Sequence, residues 1–497
     1  MRLRALPSAL VIALATFSAP GPGVAAAAPV RLGSVDFLPC TLATTGQPQT
    51  VAARCASLRM PEDRARPSAR SIDIAIAWVP STSKRPRPDP VLFIAGGPGQ
   101  SALESFPMLA DAFQALLRQR DVILVDQRGT GRSHLLACPR TMADQSTLVM
   151  DVADAATAKA LASACLAEIH DADVRLYTTT TYVEDIEAVR RALAIRSVNL
   201  VGVSYGSRVA LEYLRRQPAH VRTAVLDGVV PPSLRLGAEH ARNLEAVIDA
   251  QFRRCDMDAT CREKFGSPRL RLDELLARLK AHPQKVSYHD PLTNETREDE
   301  LTAEAVASVV RLHAYAPQLF AMLPMLLAEA ADGHYEALMA QSRMVEQLVG
   351  EQISLALQLS VSCTEDAPGL VADPADRQTL LGTEFVDFLQ AQCSAWPRGE
   401  TPADFHDALT SVRPVLLLSG ELDPVTPPRY GEAVARTLPQ SRHLALRGQG
   451  HGVLEVGCTP RLVAQFVENG DAQHLDTKCL DALTYAPPFA GAYGWDP

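Results

Sequence analysis

Short, uninterrupted apolar runs recur along the chain: Val91–Ile94, Val122–Val125, Val198–Val203, Thr223–Leu226, Val415–Leu418 and His443–Leu446. Each has the length and branched content of a strand buried on both faces, and helix-period segments lie between them. Buried strands alternating with helices predict an α/β protein, its mostly parallel sheet covered by helices on both faces. Ser71–Pro80 alternates apolar and polar, as a strand with one wet face does. Residues 30–70 show no period and are expected to be an irregular lead-in. Between Pro231 and Pro414 the strand signals fade. Residues 239–265, 270–281, 302–327 and 334–359 have helical patterns, which predicts a helical cap inserted between two halves of one sheet. The expected divisions are 1–28, 29–230 (first part of the core), 231–410 (cap) and 411–497 (second part of the core).

The N-terminus changes the picture. Arg2 and Arg4 precede an apolar run to Phe17, then Pro20-Gly21-Pro22-Gly23 and the small residues Val24–Ala28. A positive start, a short apolar centre and a small-residue end predict a signal peptide over residues 1–28, and so a periplasmic or extracellular protein. The run is too short for a membrane anchor. Ten cysteines in an exported chain predict disulfides. Nearest-neighbour pairing is the expectation: Cys40/Cys55, Cys138/Cys165, Cys255/Cys261, Cys363/Cys393 and Cys458/Cys479. The spacings lack a zinc-ligand pattern, so no metal site is expected. With 48 basic and 57 acidic residues the net charge is −9, which offers nothing to a nucleic acid or an anionic membrane.

The candidate chemistry centres on Gly202-Val203-Ser204-Tyr205-Gly206, where a strand stops at a serine and a helix pattern begins at Arg208. This is the layout of a nucleophile elbow, G-x-S-x-G. A serine hydroxyl needs a base to take its proton and a group to orient that base. The required order is serine, acid, histidine. Asp423, in Ser419-Gly420-Glu421-Leu422-Asp423-Pro424, lies just past a strand end and is the first choice of acid. Glu421 and then Asp227 are the alternatives. Of twelve histidines, His451 alone follows the last strand in a glycine-rich loop. For the oxyanion, Gly96-Gly97-Pro98-Gly99 follows the strand Val91–Ile94, and the N–H groups of Gly97 and Tyr205 are the expected donors. No Lys-Ser/Thr follows those glycines, which disfavours a phosphate loop.

Together with Asp126-Gln127-Arg128-Gly129-Thr130-Gly131-Arg132-Ser133, these motifs resemble the α/β-hydrolase fold. More narrowly, they resemble the exported tripeptidyl-aminopeptidase and proline-iminopeptidase group of serine peptidases. The resemblance spans about residues 90–460 and implies a catalytic triad of Ser204, Asp423 and His451. Ala95 stands where the family's oxyanion loop usually begins with histidine. The same branch carries a Cys-x-Glu-Asp segment, here Cys363-Thr364-Glu365-Asp366. That implies Glu365, with Asp366 next, as the carboxylates that hold the substrate's free ammonium. The expected function is an exported aminopeptidase releasing short N-terminal peptides, without a cofactor. A carboxylesterase with the same triad is the alternative, and a non-catalytic binding protein on this scaffold a more distant one. The expected partner is a peptide or small ester, and oligomeric state is not legible.

Overall fold

The structure, a computed structural model, describes residues 28–138, 154–350 and 353–489, with residues 346–350 described as backbone only. The expected signal peptide falls, but for Ala28, outside these residues.

Among the described residues twelve strands are formed, in chain order β1 (Val30–Leu32), β2 (Val35–Ala43), β3 (Thr50–Pro61), β4 (Ser71–Val79), β5 (Val91–Ile94), β6 (Val122–Val125), β7 (Val198–Val203), β8 (Val221–Asp227), β9 (Gln284–His289), β10 (Thr296–Leu301), β11 (Val415–Gly420) and β12 (Ser441–Leu446). Ten of them make one sheet in the order β1-β2-β3-β4-β6-β5-β7-β8-β11-β12. β6, β5, β7, β8, β11 and β12 are parallel to one another, and β1–β4 extend the sheet antiparallel. Successive residues of a strand point to opposite faces. Leu92 and Ile94 of β5 therefore enter the core on one side, and Val91 and Phe93 the core on the other. β11 divides in the same way, Val415 and Leu417 against Leu416 and Leu418. Burying one such side chain stabilises the fold by roughly 1.5–3 kcal/mol, which is why these strands read as unbroken apolar runs.

Sequence order reverses at β5, which lies between β6 and β7. Loops leaving the carboxyl ends of neighbouring strands diverge at such a point and open a crevice. The elbow follows β7, the Gly96–Gly99 loop follows β5, Asp227 ends β8, and the loops carrying Asp423 and His451 follow β11 and β12. All five sit at the same edge.

Two stretches differ from expectation. Residues 30–61 form β1–β3 rather than an irregular lead-in. These edge strands are half exposed, so the alternation that marks a strand is diluted by Arg, Pro and Thr on their open faces. Within the region expected to be helical, β9 and β10 pair as a hairpin. β10 buries only Leu301, too little apolar surface to show as a pattern. Residues 231–410 also divide between two cores. The helices His240–Met257, Pro268–Ala281, Ala303–His313 and Leu323–Ala331 pack with the hairpin around their own core. Leu355–Glu365 and Glu384–Cys393 join the core beneath the sheet. The cysteines pair as Cys40–Cys55, Cys138–Cys165, Cys255–Cys261, Cys363–Cys393 and Cys458–Cys479.

Candidate active site

Ser204 has φ 55° and ψ −123°, a region that side chains other than glycine rarely occupy and that costs about 1–3 kcal/mol. Hydrogen bonds hold it there. Ser204 N–H donates to the Asp227 carbonyl at 2.7 Å, and Ser207 Oγ donates to the Ser204 carbonyl at 2.6 Å. The two glycines of the motif have a steric cause. A Cβ on Gly202 would stand 2.3 Å from the Gly206 carbonyl oxygen, and one on Gly206 would stand 2.3 Å from that of Ile94. Only bare backbones let β5, β7 and the helix Tyr205–Arg216 close around the turn.

Asp423 is buried and all of its acceptor capacity is used. Oδ1 accepts the backbone N–H groups of Val425 and Thr426, both at 2.8 Å. Oδ2 accepts the Thr426 hydroxyl at 2.7 Å and faces His451 Nδ1 at 2.8 Å. Burial alone would raise the pKa of Asp423, but His451 and these donors hold it below the usual carboxylate range. Burial lowers that of His451, yet the carboxylates of Asp423 and Asp227 leave it net raised. The His451 backbone N–H donates to the Tyr315 carbonyl at 2.8 Å, and the two rings meet edge-on at 5.3 Å.

The other two acid candidates serve the histidine loop rather than the ring. Asp227 Oδ2 accepts the N–H groups of Val453 and Leu454 at 2.8 and 2.9 Å, and burial pushes its pKa up to about 6. Glu421 accepts Gly448 N–H at 2.8 Å and the Tyr485 hydroxyl at 2.9 Å.

Ser204, Tyr205, Gly97 and His451 all line one cavity of about 640 Å³. The Gly96–Gly99 loop runs close over the serine, since a Cβ on Gly96 would lie 3.2 Å from Ser204 Cβ. It is tied to the far helix by Ser354 N–H donating to the Gly99 carbonyl at 2.9 Å. The arrangement presents an alcohol, a carboxylate-oriented imidazole and a donor loop to one enclosed space. That combination can take a proton from the alcohol and stabilise a tetrahedral oxyanion.

The cavity does not include every residue the motifs single out. Glu365 and Asp366 are buried beside it and do not line it. Glu365 accepts Thr179 N–H at 2.6 Å and the Thr179 hydroxyl at 2.8 Å. Asp366 pairs with Arg208 at 3.0 Å and accepts Leu236 N–H at 3.0 Å. An acidic pair next to a disulfide looks the same in sequence whether it faces a substrate or caps a neighbouring helix, and here each is committed within the protein. Likewise Arg128 is fully buried against Asp185, at 2.7 and 2.8 Å, and does not line the cavity. Four residues at or beside the cavity were not picked out from sequence for the parts they take: Thr426, Tyr315, Arg311 and, as a brace for the histidine loop, Asp227. Thr426 lies within a recognised motif; Arg311 and Tyr315 sit on or just after a cap helix whose pattern gives no sign of the cavity.

Residues 89–246 match the family model described as alpha/beta hydrolase fold, and residues 379–479 match that of the TAP-like protein family. Serine protease Hip1 of Mycobacterium tuberculosis is 24% identical over 502 residues, covering 92% of this chain and 93% of its own. The tripeptidyl aminopeptidase of Streptomyces coelicolor is 25% identical, covering 94% and 90%. Carboxylesterase B of M. tuberculosis is 26% identical, covering 84% of each chain. Among solved structures, a proline iminopeptidase of Mycobacterium smegmatis aligns over 84% of this chain and 98% of its own, at 17% identity and a TM-score of 0.42. The chain is thus an enzyme of the α/β-hydrolase fold, a serine hydrolase similar to serine protease Hip1 and to the tripeptidyl aminopeptidases.

Proposed function

We propose that this serine hydrolase is an exported aminopeptidase that releases a short N-terminal peptide through an acyl-enzyme. Ser204 Oγ attacks the scissile carbonyl while His451 Nε2 takes its proton, Nδ1 being engaged with Asp423. The N–H groups of Gly97 and Tyr205 receive the oxyanion. His451 then gives the proton to the departing amine, and water, deprotonated by the same ring, releases the acyl group. The observation that carries this reading is the Asp423–His451 contact of 2.8 Å at a cavity that Ser204 also lines. A volume of about 640 Å³ is that of a small-molecule site rather than a groove for a continuous chain, which favours a chain end as substrate. The tripeptidyl aminopeptidase among the relatives points the same way. Export is supported by five disulfides, which persist in oxidising compartments.

A carboxylesterase is the second reading, favoured by one observation: among the described residues lining the cavity none is a carboxylate, whereas an ammonium would need one. Matched peptides with free and acetylated N-termini separate the two. An aminopeptidase loses the acetylated substrate; equal rates on both would exclude it. Labelling by a fluorophosphonate that disappears in Ser204→Ala tests the nucleophile itself.

A further inference from the structure

Among the described residues four arginines are buried, and Arg120 pairs with Asp89 at 3.0 Å. Arg128 faces Asp185 and Arg208 faces Asp366. Arg311 lines the cavity. It lies in the last turn of the helix Ala303–His313, is 3% exposed, and follows Val309 and Val310 in an apolar stretch. Taking a guanidinium out of water carries a penalty of several kcal/mol. Its seat is aromatic. The guanidinium carbon stands 4.8 Å over the Phe385 ring, and the side chain hydrogen-bonds that of Tyr315. Phe385 in turn stacks on His240 at 5.3 Å, and burial holds His240 down to about 3, so that ring is neutral. Through Tyr315 the guanidinium is tied to the loop of His451, whose N–H the Tyr315 carbonyl accepts. The result is a planar, multi-donor cation in an otherwise mostly apolar wall, next to the reacting centre.

We propose that Arg311 is a specificity-determining residue that binds an acceptor oxygen, a peptide carbonyl or a carboxylate, in the acyl part of the substrate. This rests on the serine-hydrolase reading and holds for a peptide or an ester alike. In a dry cavity an unmet acceptor is penalised and a charge-assisted hydrogen bond is strong, so such a group discriminates sharply between substrates with and without that oxygen.

The test uses three p-nitrophenyl esters of equal chain length: a plain alkanoate, one with an amide carbonyl and one with a terminal carboxylate. The readout is kcat/KM on each acceptor-bearing ester divided by kcat/KM on the alkanoate. In Arg311→Met, which keeps the stem and drops the donors, this ratio should fall roughly tenfold or more for at least one of them. Arg311→Lys keeps the charge without the fork and should fall between. A ratio equal to wild type in both variants overturns the proposal. Should Arg311→Met fail to fold, the Arg311→Lys ratio decides alone, in the same sense. Survival of hydrolysis in Ser204→Ala would instead remove the nucleophile assignment, a separate failure.

Discussion

Asp227 accepts the backbone N–H of Val453 at 2.8 Å, two residues past His451. The same oxygen takes Leu454 N–H at 2.9 Å, and the carbonyl of Asp227 holds Ser204 N–H. One residue at the end of β8 thus fixes both the turn that bears Ser204 and the loop that bears His451. In Asp227→Ala two buried donors are left unmet, at about 1–3 kcal/mol each. The urea midpoint should drop accordingly and kcat should fall, while Asp227→Asn, which retains an acceptor oxygen, should keep most of the stability. Loss of its charge should also lower the apparent pKa of His451 in the rate profile.

The pH dependence of kcat/KM follows from the raised His451. In the proposed mechanism His451 is a base only when neutral, so activity should fall as pH drops through its pKa, which should lie above the ordinary value of about 6.5. Asp423→Asn removes the largest favourable charge on the ring. It should shift that acidic limb to lower pH and cut kcat by orders of magnitude, on the order of 10⁴ where the tautomer is lost. A limb that stays put in Asp423→Asn would contradict the pairing.

Thr426 binds Asp423 twice, through its N–H at 2.8 Å and its hydroxyl at 2.7 Å. Thr426→Val keeps the first and loses the second, a hydrogen bond to a charged group worth about 1.5–3 kcal/mol. Activity should drop about tenfold to a hundredfold, mainly in kcat, and Thr426→Ser should restore most of it.

Glu365 anchors a chain of side chains that ends on the residue after Ser204: Thr179 Oγ1 lies 2.8 Å from Glu365 and 2.6 Å from the Tyr205 hydroxyl, which Gln127 meets at 3.2 Å. Burial, then the Asp366 charge, raises the Glu365 pKa to about 8. The folded protein therefore holds this proton where the unfolded chain, near 4.5, has released it. Stability contributed by Glu365 is lost as pH rises from about 4.5 to about 8. Glu365→Gln should be folded and active, with a melting temperature that falls less between pH 5 and pH 8. Glu365→Ala should lose both stability and activity. An unchanged pH slope in Glu365→Gln would argue against a buried neutral carboxyl.

The strands that could be read in advance were those buried on both faces, because there each residue is selected for the same property. β1–β3 and the β9–β10 hairpin were illegible for the opposite reason: one open face admits Arg, Thr and Glu. Ser204, Asp423 and His451 stood out as candidates because tight turns after strands demand Gly and Pro beside them, a chemical signature that needs no contacts. Glu365 and Asp366 show the limit. Their motif is as recognisable as the elbow, yet which way a buried carboxylate points depends on helices nearly two hundred residues away in sequence, such as the one beginning at Thr179.

From the order of residues alone came the alternation of buried strand and helix, the elbow, the succession of serine, acid and histidine, and the reading of an exported, disulfide-bearing chain. Local backbone demands and burial write these into neighbouring positions. Folding decided which of three carboxylates meets His451, that Asp227 braces the loop beyond it, and that a cap arginine enters the cavity wall. Those outcomes are set by strand order and by packing between distant segments, and such pairings leave no mark at any single position in the chain.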